Sequence, residues 1–594
     1  MQLNFLSDIQ KFLYKEFNTE VGNLEVTLCP PEFSADLTFS CFPLAKILHR
    51  SPMQLATKVG DFLSSHPDIE KVECIKAFVN ITLKPKALFR DTVADPQKIQ
   101  SEVMLPENQR RKILIEYSAP NTNKPQHLGH VRNNTIGMAT ASLLKRAGNH
   151  VTQINLVNDR GIHICKSMRA YQLFGNNTTP EDAGKKGDHF VGDFYVAYNK
   201  ELKHQVASLK IEHPEYTEKT EDELFIKTKI GSETQHMLKA WESQDPAVRA
   251  LWNKMNSWVF KGFAETYKRL GIHFDHTYLE SQTYTLGKDI VHEGIKNGIF
   301  KLRKDGAAII EFPDKNLGTK VVLRSDGTSV YVTQDIGTTL LKQRDYEPDQ
   351  QIWVVGDEQK YHFQVLFAIL KALGYTWANQ LTHMAYGMVN LPSGKMKSRE
   401  GTVVDADELF DEMEKLAKEA TLQRNDDLSE EELNKRSKII SMAALKFMLL
   451  KVNPKTTIMF DPAAAIRFEG DTGPYILYAY ARISSMLHKA AQQGLSADAP
   501  NWELMSSASE KKLAIRCAMY PDTIQKAAQE LDSSVLSSYL LDLSKDFSNF
   551  YNKCSVLNIE NKDLIKARLA LCNAVRNILK DGLNTLTINT LENM

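Results

Sequence analysis

Cysteine is scarce in this chain and is not arranged in pairs. The seven cysteines among 594 residues are scattered, with no C-x-x-C pair, so the sequence predicts neither a disulfide framework nor a zinc site and fits a reducing compartment. His163 and Cys165 lie close together in the sequence, but two potential ligands without a second pair are more typical of core or loop positions than of a metal site. We therefore expect no structural metal.

Long apolar runs and an excess of one charge are also missing. No run of about 18 apolar residues occurs, and the first residues lack the basic region and apolar core of a secretory signal, so we expect a cytoplasmic protein without a membrane segment. Lys and Arg total 73, as do Asp and Glu. Because the chain has no net positive charge, any contact with RNA must come from local basic patches or from shape. With 42% hydrophobic and 25% charged residues and no internal repeat, the chain is typical of a globular protein with several domains.

The first region, residues 1–108, combines a helical pattern with short strands. Apolar residues recur at helical spacing between Phe5 and Phe17, and Val72–Cys74 and Ala77–Leu83 have the composition of strands. A polar stretch over residues 95–108 has the composition of a linker. We predict a small α+β domain.

The second region, residues 109–454, begins as strand, helix and strand. Ile113–Glu116 is followed by apolar residues at helical spacing from Ile136 to Ala147 and then by Val151–Val157. This βαβ pattern predicts an α/β domain with a Rossmann-type parallel sheet and a ligand at the carboxyl ends of its strands. Residues 165–290 are charged and helix-prone, and we interpret them as a helical insertion.

Strand-like segments resume after the insertion, and helices dominate the end of the chain. Ala307–Phe312 and Lys320–Arg324 are predicted strands, with a hairpin turn at residues 325–328 before a further strand at Val330–Thr333. Ile352–Val355 is another apolar strand. Residues 455–594 have few glycines and predict an all-α helical bundle. The aromatic residues between Tyr475 and Tyr480 are more typical of a helical core than of base stacking.

Two histidines bracket a glycine at the predicted strand-to-helix turn. The tetrad His127-Leu128-Gly129-His130 precedes the helical pattern of the α/β region. There both imidazoles can face a bound phosphate, while the glycine lets the backbone approach a nucleotide closely. Taken alone, the tetrad is also compatible with two hydrogen-bonded histidines in a loop.

A cationic loop bounded by glycines lies far downstream, at residues 394–402 (GKMKSREGT). When ATP activates a carboxylate, the α-phosphate is attacked, pyrophosphate leaves, and negative charge accumulates on the phosphates. A lysine-rich loop would stabilise that charge. Taken alone, the same loop is compatible with an exposed basic turn.

Together these segments resemble the signature motifs of class I aminoacyl-tRNA synthetases. The tetrad is similar to the HIGH motif, and residues 118–137 resemble its arginyl-tRNA synthetase version. The loop resembles the KMSKS motif, but Ser398 occupies the second lysine position and Arg399 follows it. Arginyl enzymes commonly show this departure, and a lysine before the first motif is thought to supply the missing charge. Lys124 occupies that position.

The resemblance implies roles for individual residues in binding ATP, which enters as a substrate with Mg²⁺, and no organic cofactor is implied. The histidines would hydrogen-bond phosphates in the transition state rather than act as nucleophiles. The implied catalytic residues are Lys124, His127, His130, Lys395 and Arg399. The implied ATP-binding residues are Pro120, Gly129, Gly387, Met388, Met396, Lys397 and Ser398.

A further segment bears on which amino acid is bound. Recognition of a guanidinium requires carboxylate and amide acceptors, because its five donors must be satisfied when it leaves water. Tyr331–Gly337 resembles the YxTxD segment of the arginyl family, so Asp335 matches the carboxylate and Tyr331 the pocket wall. Taken alone, Asp335 is equally compatible with a role as the N-cap residue of a helix. The other arginine-binding positions that the resemblance implies are Ser118, Asn121, Asn155 and Gln359.

The resemblance extends over essentially the whole chain. Residues 77–80 resemble the N-terminal domain that leans on the tRNA elbow, and residues 470–482 with the later helices resemble the anticodon-binding bundle. The family activates arginine with ATP to arginyl-adenylate and transfers it to the terminal ribose of its tRNA, at the 2′-hydroxyl in class I. Its members are mostly monomers, and many need bound tRNA before the adenylate forms.

Three other interpretations compete with this one. Nucleotidylyltransferases share the HxGH sheet and release pyrophosphate, but they lack a long helical region such as residues 455–594. A different class I synthetase is disfavoured by residues 331–335 and by the N-terminal domain. A non-catalytic paralogue is expected to have lost Lys124, His127, His130 or Lys395, and all four are present.

Overall fold

A computed structural model describes residues 3–594 except 23, 25, 31, 96–98, 100, 315, 393–403, 425 and 426. The predicted cationic loop therefore falls outside the described residues. Among the helices that are described, none combines the length and the apolar composition needed to cross a membrane.

The N-terminal region is an antiparallel sheet covered by helices, as predicted. Its strands are ordered β1-β2-β4-β3, and the first helix buries Phe5, Ile9 and Leu13 in a hydrophobic core that also includes residues of the sheet. The elements are α1 (Asn4–Phe17), β1 (Val26–Leu28), β2 (Leu37–Ser40), α2 (Phe42–Leu48), α3 (Pro52–Ser64), β3 (Ile69–Ile75), β4 (Phe78–Leu83) and α4 (Pro85–Thr92).

A five-stranded parallel sheet forms the centre of the molecule, with the strand order β12-β11-β5-β6-β7. Its strands are β5 (Lys112–Glu116), β6 (His150–Val157), β7 (His276–Leu279), β11 (Gln350–Gly356) and β12 (Leu381–Tyr386). Helix α5 (Leu128–Arg146) connects β5 to β6, which confirms the predicted βαβ unit. A Cβ atom on Gly137 would lie 2.3 Å from the Tyr117 ring, so this glycine sets how closely α5 approaches the end of β5.

The segment after β6 is largely helical, but the sheet continues inside the range predicted as an insertion. Its helices are α6 (Ile162–Phe174), α7 (Gly187–Glu212), α8 (Glu221–Leu224), α9 (Lys229–Glu242) and α10 (Pro246–Leu270). Strand β7 then pairs with β6, so residues 276–279 belong to the central sheet and not to the helical excursion. The short strand escaped sequence analysis because charged helical segments surround it.

One predicted strand is wrong. The turn at residues 325–328 exists, with Gly327 at φ 76°, but Val330–Thr333 begins helix α13 (Tyr331–Tyr346) instead of a strand. The run Tyr-Val-Thr favours strands, yet the Thr333 hydroxyl accepts the Val330 N–H at 3.2 Å and caps the helix. The neighbouring elements are α11 (Glu280–Thr283), α12 (Lys288–Lys296), β8 (Lys301–Leu302), β9 (Ala308–Glu311), β10 (Thr319–Leu323) and α14 (Lys360–Ala372).

The last third of the chain is mostly helical, and its final part is the helical bundle predicted for residues 455–594. Tyr480 is buried in its core, as expected for aromatic residues at helical spacing, whereas Tyr478 is 36% exposed. The elements are β13 (Val389–Asn390), α15 (Ala406–Leu422), α16 (Glu430–Leu450), β14 (Ile458–Met459), α17 (Pro462–Ala465), α18 (Gly473–Gln492), α19 (Ala508–Ala518), α20 (Tyr520–Glu530), α21 (Ser533–Lys553) and α22 (Lys562–Thr585).

Candidate active site

The histidine tetrad forms the N-terminus of helix α5 at the carboxyl edge of the sheet. His127 is the N-cap residue, and its Nδ1 accepts the Gly129 N–H at 3.1 Å. His130 reaches back, so that its Nδ1 accepts the His127 N–H, also at 3.1 Å. The two ring centroids lie 3.9 Å apart. The imidazoles thus replace the Ser and Glu of an ordinary capping box and satisfy two free N–H groups.

This capping arrangement fixes where each ring carries its proton. A neutral imidazole has one donor and one acceptor nitrogen, so an Nδ1 that accepts leaves the proton on Nε2. Burial, together with Lys124, lowers the pKa of His127 to about 4. Burial, with His127 and Lys124 nearby, lowers the pKa of His130 well below its usual value. Both rings are therefore neutral at pH 7, and each can donate one Nε2–H to a ligand.

Gly129 leaves the space that the first ring needs. A Cβ atom at this position would lie 2.9 Å from Cε1 of His127, so any other residue would push the ring out of its capping position. Main-chain hydrogen bonds also join the tetrad to the chain that follows the predicted cationic loop. The Leu128 N–H donates to the Val404 carbonyl at 2.9 Å, and the Ala406 N–H donates to Gln126 at 3.0 Å. Lys395, Met396, Lys397, Ser398 and Arg399 lie outside the described residues.

A buried arginine that sequence analysis missed holds the neighbouring strand end in place. Arg132 is fully buried, and its guanidinium donates to the carbonyls of Gly387 at 2.8 Å, Pro454 at 3.0 Å and Thr456 at 2.6 Å. A Cβ atom on Gly387 would lie 2.6 Å from the Lys455 carbonyl. Gly387 and the exposed Met388 follow β12, and so they lie at the same carboxyl edge as the histidines.

Polar side chains converge beside the end of strand β5. Ser118 is buried and has φ 66°, a left-handed conformation that is unusual for serine. Its hydroxyl hydrogen-bonds to the Tyr267 hydroxyl at 2.8 Å, which Asn155 and Gln126 also face. Burial raises the pKa of Tyr267 to about 12, so this group stays protonated. Tyr267 comes from α10, and no local signal in the sequence linked it to the site.

The turns after β5 and β6 are joined directly, which places Pro120 and Asn121 beside the turn that follows β6. The Asn158 N–H donates to the Pro120 carbonyl at 3.0 Å, and the Thr122 N–H donates to Asn158 at 3.0 Å. Asn121 therefore lies in a bridge with Asn158. Asn155 Oδ1 accepts the Thr277 hydroxyl at 2.7 Å, which leaves the Asn155 amide N–H groups to donate.

Carboxylates gather at the other end of the site. Asp335 lies inside helix α13, not at its N-cap, and binds His362 at 2.6 Å. That hydrogen bond raises the pKa of His362. Glu280, at the start of α11, is a second acid that sequence analysis missed; burial raises its pKa, and Asp335 and Asp159 raise it further. Its one sequence signal, an acid directly after a strand, depends on strand β7, which the local pattern did not reveal.

Two predicted pocket residues are not enclosed. Tyr331 is 79% exposed, and Gln359 lies exposed in the short 3-10 helix Asp357–Gln359. Gln359 lies just after the carboxyl end of β11, and Tyr331 is the first residue of α13. The two side chains do not form a closed wall.

Within the described residues, one group of side chains has the spacing of a metal site, namely Asp188, His189 and Asp407. Lys186 already lies between the two carboxylates, with its Nζ 2.6 Å from Asp407 and 3.2 Å from Asp188. This ammonium supplies the positive charge that a metal would bring. Beside it lies a cavity of about 670 Å³ that Lys124, His127 and Lys185 also line.

Residues 95–461 match the catalytic domain of class I tRNA synthetases (R), the class that this sheet and its histidine-capped helix define. Residues 3–83 match the arginyl tRNA synthetase N-terminal domain, and residues 476–594 match the DALR anticodon-binding domain. The chain belongs to the arginyl-tRNA synthetase family, which confirms the predicted family and fold class.

Individual relatives cover nearly the full length. The chain is 43% identical to an arginine–tRNA ligase of Bacteroides fragilis, covering 98% of both chains, and 41% identical to one of Flavobacterium psychrophilum, covering 99% of this chain and 98% of that one. It shares its fold with the Thermus thermophilus arginyl-tRNA synthetase, with a TM-score of 0.77, 24% identity and 99% of each chain covered.

Proposed function

We propose how this chain carries out the arginine–tRNA ligase reaction of its family at the carboxyl edge of the central sheet. The observation that carries the proposal is the pair of neutral, Nε2-protonated histidines at the N-terminus of α5, with carboxylates at the opposite end of the same edge. The first feature suits a polyphosphate and the second a guanidinium.

In the first step, an oxygen of the arginine carboxylate attacks the α-phosphorus of ATP. The bond from that phosphorus to the bridging oxygen breaks, and pyrophosphate leaves. His127 and His130 each donate an Nε2–H to phosphate oxygens as charge builds up, and the positive end of α5 adds to this stabilisation. Lys124, with Lys395 and Arg399 of the cationic loop, neutralises the leaving pyrophosphate. ATP enters as its Mg²⁺ complex.

For this step the substrates need fixed positions rather than a protein nucleophile. Pro120, Gly129, Gly387, Met388 and the loop residues Met396, Lys397 and Ser398 form the ATP side of the proposed site. Ser118, Asn121 and Asn155 hold the α-amino and carboxylate groups of arginine. Asp335 and Glu280 accept the guanidinium, and Tyr331 and Gln359 complete the pocket when the substrate is bound.

In the second step, a hydroxyl of the terminal ribose of the tRNA attacks the activated carbonyl, and AMP leaves. A cavity of about 580 Å³ in the helical bundle is suited to a base of the anticodon loop. Arg482 lies 4.6 Å from the Tyr478 ring centroid and 5.1 Å from that of Tyr551, and Arg424 lies 4.1 Å from that of Phe468. Paired aromatic and guanidinium faces are what stacked bases require.

We further propose how the chain is divided into domains and in what form it acts. We place an N-terminal tRNA-contacting domain at residues 1–108, the catalytic domain at 109–454 and the anticodon-binding domain at 455–594. The exposed Phe78, packed edge-on against Phe42 with ring centroids 5.7 Å apart, offers the first domain a surface for the tRNA elbow. The protein acts as a cytoplasmic monomer without a membrane partner.

ATP–pyrophosphate exchange with a panel of amino acids, with and without tRNA, tests the function as a whole. Exchange is expected with arginine and not with glutamate, glutamine or cysteine, because only a guanidinium satisfies two adjacent carboxylates. Exchange with another amino acid and not with arginine would refute arginine as the substrate. Its absence under every condition would favour a non-catalytic paralogue.

Replacement of Asp335 by Asn tests the guanidinium site. The variant is expected to weaken arginine binding by roughly 2–5 kcal/mol, the usual loss when one partner of a buried charge pair is truncated, seen as a raised KM for arginine in the exchange assay. Asp345→Asn is the matched control, since Asp345 lies on the same helix but accepts the Tyr278 hydroxyl at 2.9 Å instead. An unchanged KM for arginine in the Asp335 variant would show that Asp335 is not part of the arginine pocket.

Replacement of Arg482 by Gln tests the anticodon cavity. Loss of a stacked guanidinium is expected to weaken tRNA binding by about 1–3 kcal/mol, measured as a raised KM for tRNA in aminoacylation, with the KM for arginine unchanged. Lys489→Gln removes the same charge from an exposed position on the same helix and should have little effect. Equal effects of the two variants would mean that only overall charge matters.

A further inference from the structure

Arg160 is a largely buried cation beside the proposed arginine pocket, and no proposed step uses it. It lies in the turn after β6, with 10% of its side chain exposed. Its guanidinium carbon is 3.8 Å from the Tyr284 ring centroid and 5.3 Å from that of Trp241. Its Nη2 donates to Glu242 at 2.9 Å. Two rings and a carboxylate thus fix the orientation of this guanidinium.

The other side of the guanidinium faces the pocket. Arg160 Nη1 lies 4.0 Å from Glu280 Oε1, at a distance where the two charges attract without sharing a close hydrogen bond. The Asp159 carboxylate accepts the Ser281 N–H at 2.8 Å and the Ser281 hydroxyl at 2.7 Å. The turn that carries Arg160 therefore also holds the start of α11, where Glu280 lies.

Glu280 is surrounded mainly by groups that favour its protonated form. Burial raises its pKa, and the carboxylates of Asp159 and Asp335 raise it further, whereas Arg160 lowers it. The other charged neighbours act indirectly: Glu242 pairs with Arg160, and His362 pairs with Asp335. Arg160 is thus the cation that opposes protonation of Glu280 before any substrate is bound.

We propose that Arg160 is a positioning residue for substrate specificity: stacked on Tyr284 and paired with Glu242, it keeps Glu280 ionised and oriented to accept the guanidinium of the incoming arginine. The inference rests on the proposed function, because it takes Glu280 as part of the arginine pocket. A carboxylate that stays charged in the empty pocket pairs with a guanidinium on arrival, whereas a carboxylic acid must first lose its proton.

The test uses arginine-dependent ATP–pyrophosphate exchange by the full chain with tRNA, from pH 6.5 to 8.5. We expect Arg160→Gln to raise the KM for arginine at least about twofold at pH 6.5, because half or more of Glu280 is then protonated in the empty pocket. The ratio of variant to wild-type KM should return towards one as the pH rises and Glu280 ionises, with kcat unchanged. This ratio cancels the titration of the α-amino group of free arginine. Arg160→Lys keeps the charge but not the planar guanidinium, so its KM for arginine should be raised less than that of Arg160→Gln.

Three results would overturn the inference: an unchanged KM in Arg160→Gln, a raised KM with the same ratio at every pH, or an Arg160→Lys variant as impaired as Arg160→Gln. If Arg160→Gln fails to fold, the Glu280→Gln variant tests the inference in the same assay. Because wild-type Glu280 should stay ionised, the ratio of this variant's KM to the wild-type KM should be raised and constant over the same range. A ratio that grows with pH would show that wild-type Glu280 titrates there and would contradict the inference. Lack of arginine-dependent exchange in the wild type would instead refute the proposed function.

Discussion

The reciprocal hydrogen bonds between His127 and His130 at the start of helix α5 are the interaction on which the site depends. They satisfy main-chain N–H groups that the helix cannot pair internally, and they leave each ring with its single proton on Nε2. Burial keeps the rings uncharged, so the site offers directed donors rather than fixed positive charges. Full charges come instead from lysines such as Lys124. In the proposed site, the same two side chains therefore cap the helix and present donors to the ligand.

The surrounding structure serves to hold this helix end at the carboxyl edge of the sheet. Gly137 lets α5 pack on Tyr117, and Arg132 ties the same helix to Gly387 and to the chain at residues 454–456. The helical segment between β6 and β7 contributes Tyr267 from the far side. These anchors come from distant parts of the chain, so the position of the histidines depends on residues that make no contact with a ligand.

Local sequence patterns predicted the parts of the fold that depend on local physics. The βαβ unit from Lys112 to Val157 followed from its apolar periodicity, and the tetrad marked the start of its helix. Val330–Thr333 was wrongly predicted as a strand, because a capping threonine outweighs the strand preference of a β-branched run. Tyr267 and Glu280 could not be predicted as site residues, since only the folded path brings them to residues such as Ser118 and Asp335. The resemblance to a known family contributed more of the predicted site residues than periodicity did, because their roles depend on contacts between distant segments.

The proposed site requires that His127 and His130 are neutral and carry their protons on Nε2. Nitrogen-15 NMR of the protein labelled at histidine, with His127→Gln and His130→Gln used for assignment, measures this state at pH 7 directly. We expect ring nitrogen shifts of the Nε2-protonated neutral form for both residues at pH 7, persisting for His127 to about pH 5 in the absence of ligand. Doubly protonated rings at pH 7, or protons on Nδ1, would contradict it, because the two hydrogen bonds that cap α5 could not then exist.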